Sequence, residues 1–238
     1  MTKADPLDPA LKDSLMRLPV PTITATLAAH GIANGFLAGL APLDPARARF
    51  VATAYTMRAL PVREDMARAV RDGTAPNLHR QAMREVAPGE ALVTDCGGDA
   101  GLSFFGELIA TYLAGKGVAA IVTDAGIADV ADVAATGLPV FCRGSAPIPG
   151  PARRLVADLG RPVDCMGVAV CPGDVLVGDP NGVAVIPRAM AAEIAAAAHE
   201  KERLERFLLA RLKAGAPLDG TYPPDAETLA AYRAASDG

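Results

Sequence analysis

The chain has 238 residues, 51% of them hydrophobic and 21% charged, with a formal net charge of -4 at pH 7. That profile excludes a disordered tail, and without a long Lys/Arg block it excludes an electrostatic stripe for polyphosphate, so no nucleic-acid partner is expected. No apolar run reaches the roughly 18 uncharged residues that a bilayer demands, and residues 1–12 lack the cationic-then-apolar order of a signal peptide, so a cytoplasmic protein with no membrane partner is expected.

Aromatics make up 4% of the chain and Trp is absent, so the core must come from Ala, Val, Leu and Ile. Such a core suits a parallel or mixed sheet covered by helices. The cysteines Cys96, Cys142, Cys165 and Cys171 include no Cys-x-x-Cys pair. In a reducing compartment that spacing predicts buried free thiols rather than disulfides or zinc ligands.

Residues 8–45 read as helical, with Leu11, Leu15 and Leu18 at helix spacing and a second short helix at 22–30 ahead of a glycine-rich turn. Alternation at 50–57 predicts a strand. The middle of the chain then predicts a strand at 91–94 ending at Asp95, a glycine turn at 96–101, a helix at 103–114, a strand at 118–123, a helix at 128–135 and a strand at 138–142. This βαβαβ order calls for parallel strands joined by right-handed crossovers. Strands follow at 163–170 and 175–178, and the tight turn Asp179-Pro180-Asn181-Gly182 leads into another at 183–186. A long helix is predicted at 188–213, its narrow apolar side made of Ile194, Leu204, Phe207 and Leu208. That stripe reads equally as a buried seam under a solvated charged face or as a surface for a neighbouring subunit. No repeat or linker divides the chain, so one domain over residues 1–238 is expected, with its core at about 22–190 and the segment 188–238 between subunits.

Two features carry chemistry. The turn Cys96-Gly97-Gly98-Asp99-Ala100-Gly101 has the wrong register for a dinucleotide fingerprint. Its backbone N–H groups either cradle a small carboxylate or merely serve a tight strand-to-helix turn. Glu107 and Asp129 follow successive strands of the βαβ unit and so fall on the carboxyl edge of the sheet, where ligands of open α/β sheets bind. Two carboxylates there can hold a hard divalent cation, or they can simply favour helix N-termini. His30, His79 and His199 share no spacing and read as solvated. Asp179 reads as a cap on local backbone.

The run Gly106-Glu107-Leu108-Ile109-Ala110-Thr111, then residues 116–126, Ala128-Asp129 and Leu138-Pro139-Val140-Phe141 together resemble the RraA-like family. The closing segment Pro172-Gly173-Asp174-Val175-Leu176-Val177-Gly178-Asp179, followed by residues 182–187, is similar to that family's hairpin. The family comprises regulators of ribonuclease activity and class II 4-hydroxy-4-methyl-2-oxoglutarate aldolases, which also decarboxylate oxaloacetate. The resemblance implies an α/β protein with an αββα sandwich around a central βαβαβ parallel unit, N-terminal helices and a long C-terminal helix. It also implies a trimer or hexamer with its site between subunits.

In the aldolases an acidic residue is followed after twenty residues by Arg-Asp. The first acid falls on Glu107 and the final Asp on Asp129, while the Arg position is Ala128. The resemblance therefore implies Asp129 as the anchor of Mg²⁺ or Mn²⁺, Glu107 as the ligand of its waters, and the backbone of Gly106, Leu108 and Ile109 as the holder of a substrate carboxylate. A small 2-oxo or hydroxy acid is the expected substrate, cleaved by aldolase or decarboxylase chemistry. Because Ala128 removes a fixed cation that is typically worth about 10²–10³ in rate, a replacement is needed, and Arg143 just past the 138–142 strand is the candidate, with Arg58 behind it. The same loss keeps open a different enzyme on this scaffold, such as a hydrolase or isomerase, or a non-catalytic protein-binding regulator.

Overall fold

A long strand of small and β-branched residues runs through the middle of the computed structural model, which describes residues 6–236. In chain order the elements begin with α1 (Pro9–Leu15), α2 (Val20–Ala29), β1 (Ala41–Pro42), β2 (Phe50–Pro61), α3 (Glu64–Arg71) and α4 (Leu78–Glu85). The middle holds β3 (Glu90–Asp95), α5 (Glu107–Lys116), β4 (Ala120–Thr123), α6 (Val130–Ala135) and β5 (Val140–Cys142). Then come β6 (Arg154–Leu159), β7 (Val163–Cys165), β8 (Val168–Val170), β9 (Val175–Asp179), β10 (Gly182–Ile186), α7 (Ala191–Lys213) and α8 (Ala226–Ser236).

The main sheet has the order β1-β5-β4-β3-β2-β9-β10, with β6 alongside the far half of β2. β2, β3, β4 and β5 run parallel, whereas β9, β6 and β1 join antiparallel. The sheet is mixed and nearly closed, and alternation along each strand shows how it curls. Ala91 and Val93 of β3, Ala120 and Val122 of β4, Leu176 of β9 and Val185 of β10 share an inner cluster, which the β7–β8 hairpin closes with Val163, Cys165, Val168 and Val170. Outward, Leu92 and Ile121 pack with Ala82 and Met83 of α4, Leu113 of α5 and Val133 of α6. Val175, Val177 and Ile186 point outward at the other end and pack with α1, α2 and Ile194 and Ala198 of α7. Two sheet layers between helices give the αββα arrangement.

Asp179 ties the ends of the chain together. Its buried carboxylate accepts from the N–H of Val20 at 2.8 Å, so it caps α2 from a distance, and from the N–H of Asn181 at 2.7 Å in its own turn. Arg49 reaches the same carboxylate at 3.4 Å and also donates to the carbonyls of Met16 and Leu18. The local cap expected at Asp179 is present, and a long-range one is added to it.

Several boundaries move, each for a physical reason. The helical reading of 8–45 ends at Ala29, because the Gly31–Gly35 stretch leads into irregular chain and the short strand β1. The helix expected from residue 103 starts at Glu107: Leu102 to Phe105 are buried, and Ser103 bridges to Pro149 instead. The strand expected at 163–170 is a hairpin, with Met166 at φ 56° in its turn. Cys171 is exposed, unlike the other three thiols, and all four are free. α7 packs its first half on α2 and α1 of the same chain, and Phe207 in its second half stacks on Tyr232 of α8 with ring centroids 5.5 Å apart. Among the described residues no helix is long and apolar enough to cross a membrane.

His79 is not solvated. Its ring packs against Phe104 and Phe105, with centroids 5.4 and 6.1 Å away, and its Nε2 is enclosed with no hydrogen-bond partner among the described residues. Burial, with a contribution from the Arg80 charge, pushes its pKa down to about 4. The unfolded chain therefore takes up the His79 proton near pH 6.5 while the folded chain resists until about 4, so stability is lost as pH falls through that window. Urea unfolding at pH 7 and pH 4.5 should show wild type losing on the order of 2 kcal/mol more than His79→Leu across the interval. Equal losses in the two proteins would show that the imidazole protonates without cost.

Candidate functional site

The loops after β3, β4 and β5 lie together on the carboxyl edge of the sheet, laced by backbone hydrogen bonds. Gly126 N–H donates to Leu102 carbonyl at 2.9 Å, Ala128 N–H to Phe105 carbonyl at 3.1 Å, and Ile127 N–H to Gly144 carbonyl at 2.8 Å. The Ser103 hydroxyl knots the first two loops, accepting from Phe105 N–H at 3.1 Å and from Ala128 N–H at 3.0 Å. These bonds set the start of α5 beside the start of α6.

Asp129 occupies the N-cap of α6 at φ 50°, ψ 46°, a left-handed conformation that non-glycine residues rarely adopt. It makes no side-chain cap to its own helix. Its carboxylate turns away instead and accepts from the N–H of Glu107, at the start of α5, at 3.2 Å. The positive end of the α5 dipole favours a negative charge there. The approach is close: a Cβ on Gly106 would lie 2.5 Å from Asp129 Oδ2. Gly106 itself has an extended backbone at φ −135°, so what a side chain there would disturb is the approach of the Asp129 carboxylate, not the dihedral. The N–H groups of Leu108 and Ile109, in the first turn of α5, have no carbonyl of their own helix to bond.

Glu107, Gly106, Leu108, Ile109 and Asp129 line one open groove of about 590 Å³, together with Tyr112 and with Arg80, Met83 and Arg84 of α4. Ala128 borders it, with its Cβ 3.7 Å from the Cβ position of Gly106. The structure thus brings together six of the seven residues singled out from the sequence.

Arg143 is the exception. It lines a second groove of about 270 Å³ with Asp95, Asp124 and Asp164, and its Nη1 donates to Gly98 carbonyl at 2.5 Å. Position after a strand places a residue on the carboxyl edge but does not choose between neighbouring grooves. Arg58 pairs with Asp158 and lines neither groove.

The glycine turn takes the second of its two readings. Cys96 and Gly98 N–H groups donate to Asp124 at 2.6 Å each, and Gly97 N–H donates to Asp95 at 2.9 Å. The turn's donors are spent on the protein's own carboxylates, so it is a structural turn rather than an anion cradle. Burial pushes the Asp124 carboxyl above the usual range, and its two backbone donors oppose that rise.

Arg80 and Arg84 escaped the sequence reading because α4 has only Ala82 and Met83 buried and so lacks a long apolar stripe. The available signal was Asn77, whose side chain caps Arg80 N–H at 3.0 Å and starts the helix.

A mixed, curled sheet with a groove of two acids and two arginines at its carboxyl edge places the chain in the α/β class. The Aldolase/RraA model of the RraA-like family matches residues 20–185, and the chain belongs to that family. A Halalkalibacterium halodurans protein named "Putative 4-hydroxy-4-methyl-2-oxoglutarate aldolase" is 33% identical over 137 residues, 57% of this chain. That match spans 65% of the relative's own length, just under two thirds. Streptomyces coelicolor RraAS2, described as an unusual member of the RNase ES inhibitor RraA family, superposes with a TM-score of 0.75 at 31% identity, covering 85% of this chain and 97% of that one. An uncharacterized protein from Pseudomonas syringae pv. tomato shares the fold, with a TM-score of 0.78 at 23% identity over 92% of this chain and 99% of its own.

The Gly106 contact is open to a direct check. Gly106→Ala should cost about 1–3 kcal/mol in urea unfolding, because backbone and carboxylate must separate. Gly115→Ala, on the same helix with nothing within 4 Å of the added methyl, should instead stabilise by about 0.5–1 kcal/mol. Equal effects of the two would mean that the Asp129 carboxylate is not held against Gly106.

Proposed function

We propose that this chain is a divalent-metal-dependent lyase, an aldolase or decarboxylase acting on a small 2-oxo or hydroxy carboxylic acid. The observation that carries the reading is Asp129, held in a strained left-handed conformation with its carboxylate turned from its own helix into a groove shared with Glu107. Strain of that kind persists where the surrounding structure over-determines it, and it concentrates at functional sites. The relatives named as aldolases support the same class of chemistry.

The donor set fits Mg²⁺ or Mn²⁺. Both acids are exposed, and Glu107 N–H is the one protein donor to the Asp129 carboxylate among the described residues, so hard oxygen lone pairs and room for water remain. Mg²⁺ is usually held by one or two carboxylates and keeps several waters. Among the described residues no three His, Cys, Asp or Glu side chains converge, so the two acids are the only side-chain ligands this reading uses. When bound, the cation supplies Lewis-acid stabilisation of negative charge developing beside the cleaved bond. Asp129 would anchor it and Glu107 would orient its waters. The N–H groups of Leu108 and Ile109, with the Gly106 backbone, would hold the substrate carboxylate at the α5 N-terminus, and Ala128 leaves space beside it.

The chain would act as a single domain in a cytoplasmic trimer or hexamer with the groove between subunits. Leu108, 85% exposed, and Tyr112, 50% exposed, give the groove an apolar rim that a second subunit would cover. A second reading, a non-catalytic regulator, is favoured by the methyl group of Ala128 and by the likeness to RraAS2.

Pyruvate release from oxaloacetate and from 4-hydroxy-4-methyl-2-oxoglutarate, with Mg²⁺ or Mn²⁺ and with chelator, separates the readings. Wild type should release pyruvate only with metal, Asp129→Ala should be inactive, and Ala128→Arg should gain about 10²–10³ in rate. A silent wild type beside an active Ala128→Arg would keep the metal site and change the substrate. Silence from all three, with no cation bound, would favour the regulator.

A further inference from the structure

α4 presents Arg80, Met83 and Arg84 on one face, the helical neighbours i, i+3 and i+4. All three line the groove that contains Glu107 and Asp129. Met83, 4% exposed, forms the root, and the two arginines stand exposed on either side of it. The helix is fixed relative to α5, because Lys116 Nζ donates to the carbonyls of Met83 and Arg84 at 2.9 and 2.6 Å and so caps the C-terminus of α4 from the last turn of α5. Among the described residues no carboxylate forms an ion pair within 4.0 Å of either guanidinium, whereas Arg47, Arg49, Arg58, Arg63 and Arg153 each pair with one. Arg80 and Arg84 are therefore held at the edge of the groove without an ion pair, although the Arg84 charge, after the Gln81 and Tyr55 hydrogen bonds, helps to lower the Glu85 carboxyl.

We propose that Arg80 and Arg84 are the anion-recognition residues of this groove and hold the carboxylate of the substrate remote from the α5 N-terminus. This assignment rests on the lyase reading for the near end of the substrate, not for the arginines themselves. Charge supports it: the two guanidiniums balance Glu107 and Asp129, so a divalent cation in the groove leaves two positive charges for a dianion to match. The forked guanidinium suits a carboxylate, which it can bind through two parallel hydrogen bonds. The cationic wall that Ala128 does not provide at the α6 start is thereby supplied by α4. These are positioning residues for specificity.

The test is calorimetric titration of Mn²⁺, 2-oxoglutarate and pyruvate into wild type, Arg80→Gln/Arg84→Gln, Arg80→Lys/Arg84→Lys and the control Arg68→Gln, with thermal midpoints confirming that each is folded. 2-Oxoglutarate has a second carboxylate too far from its ketone to be lost by decarboxylation, so it reports binding alone. The glutamine pair should lose at least tenfold in affinity for 2-oxoglutarate and less than threefold for pyruvate and Mn²⁺. The lysine pair should fall between it and wild type, and Arg68→Gln should match wild type. Equal affinity of wild type and the glutamine pair for 2-oxoglutarate would overturn the assignment, as would equal losses for pyruvate. So would displacement by inorganic phosphate at lower concentration than by 2-oxoglutarate. Arginine-dependent 2-oxoglutarate binding that needs no Mn²⁺ and survives Asp129→Ala would keep the assignment while removing the lyase reading. If wild type binds none of the ligands, both fall.

Discussion

The parallel pairing of Thr94 with Thr123 fixes everything built on the carboxyl edge of the sheet. It sets Asp95 and Asp124 side by side at the strand ends, where the chain leaves the sheet. Asp124 then reaches back to the Cys96 and Gly98 amides, and its carboxyl, pushed up by burial, is offset by those two donors. A buried carboxylate without such partners would be costly. With them it clamps the first loop, and the lacing from Leu102 to Gly126 and from Phe105 to Ala128 passes that constraint on to the helix starts. The groove is thus positioned by strand register through a short chain of backbone hydrogen bonds, with the Arg153–Asp99 salt bridge at 3.0 Å adding a tie to the first loop.

At the end of that chain sits Asp129. A carboxylate at an N-cap normally accepts from its own helix, and the left-handed backbone gives up that option. What it gains is the dipole of α5 and the Glu107 amide, reached across a contact that only glycine at 106 leaves open. The left-handed backbone, the missing cap and the glycine go together in one arrangement, with the Asp129 carboxylate turned towards the groove.

The sequence made the βαβαβ core legible because each strand is a short apolar run bounded by glycine or aspartate, and the family motif lay on those same boundaries. It also placed Glu107 and Asp129 on one edge, since parallel topology alone decides that. It did not reveal which groove Arg143 enters, because neighbouring loops on an edge differ by side-chain direction rather than by chain position. Nor did it reveal α4, whose two buried residues give too little periodicity to announce a helix. The Gly97–Gly98 turn stayed open for a related reason: free N–H groups in a sequence are free only until the fold supplies an acceptor, and here Asp95 and Asp124 arrive from adjacent strand ends.

The two grooves of the carboxyl edge show what a cation needs in order to serve a ligand. Arg143 sits among Asp95, Asp124 and Asp164 with its guanidinium engaged by the Gly98 carbonyl, so an incoming anion would have to compete with acids already in place. Arg80 and Arg84 sit among two acids that a divalent cation would neutralise, on a helix anchored through Lys116 to the element that opens the groove. Moving positive charge from the loop before Asp129 to a separate helix also changes what it can reach. A side chain at position 128 would stand beside the Gly106 backbone, next to the near end of a bound acid, whereas α4 faces the groove from a different wall. On the proposed reading, the Ala128 replacement would shift the grip on a ligand from the reacting end towards the remote one, and such a groove would select for the length of the acid as much as for its charge.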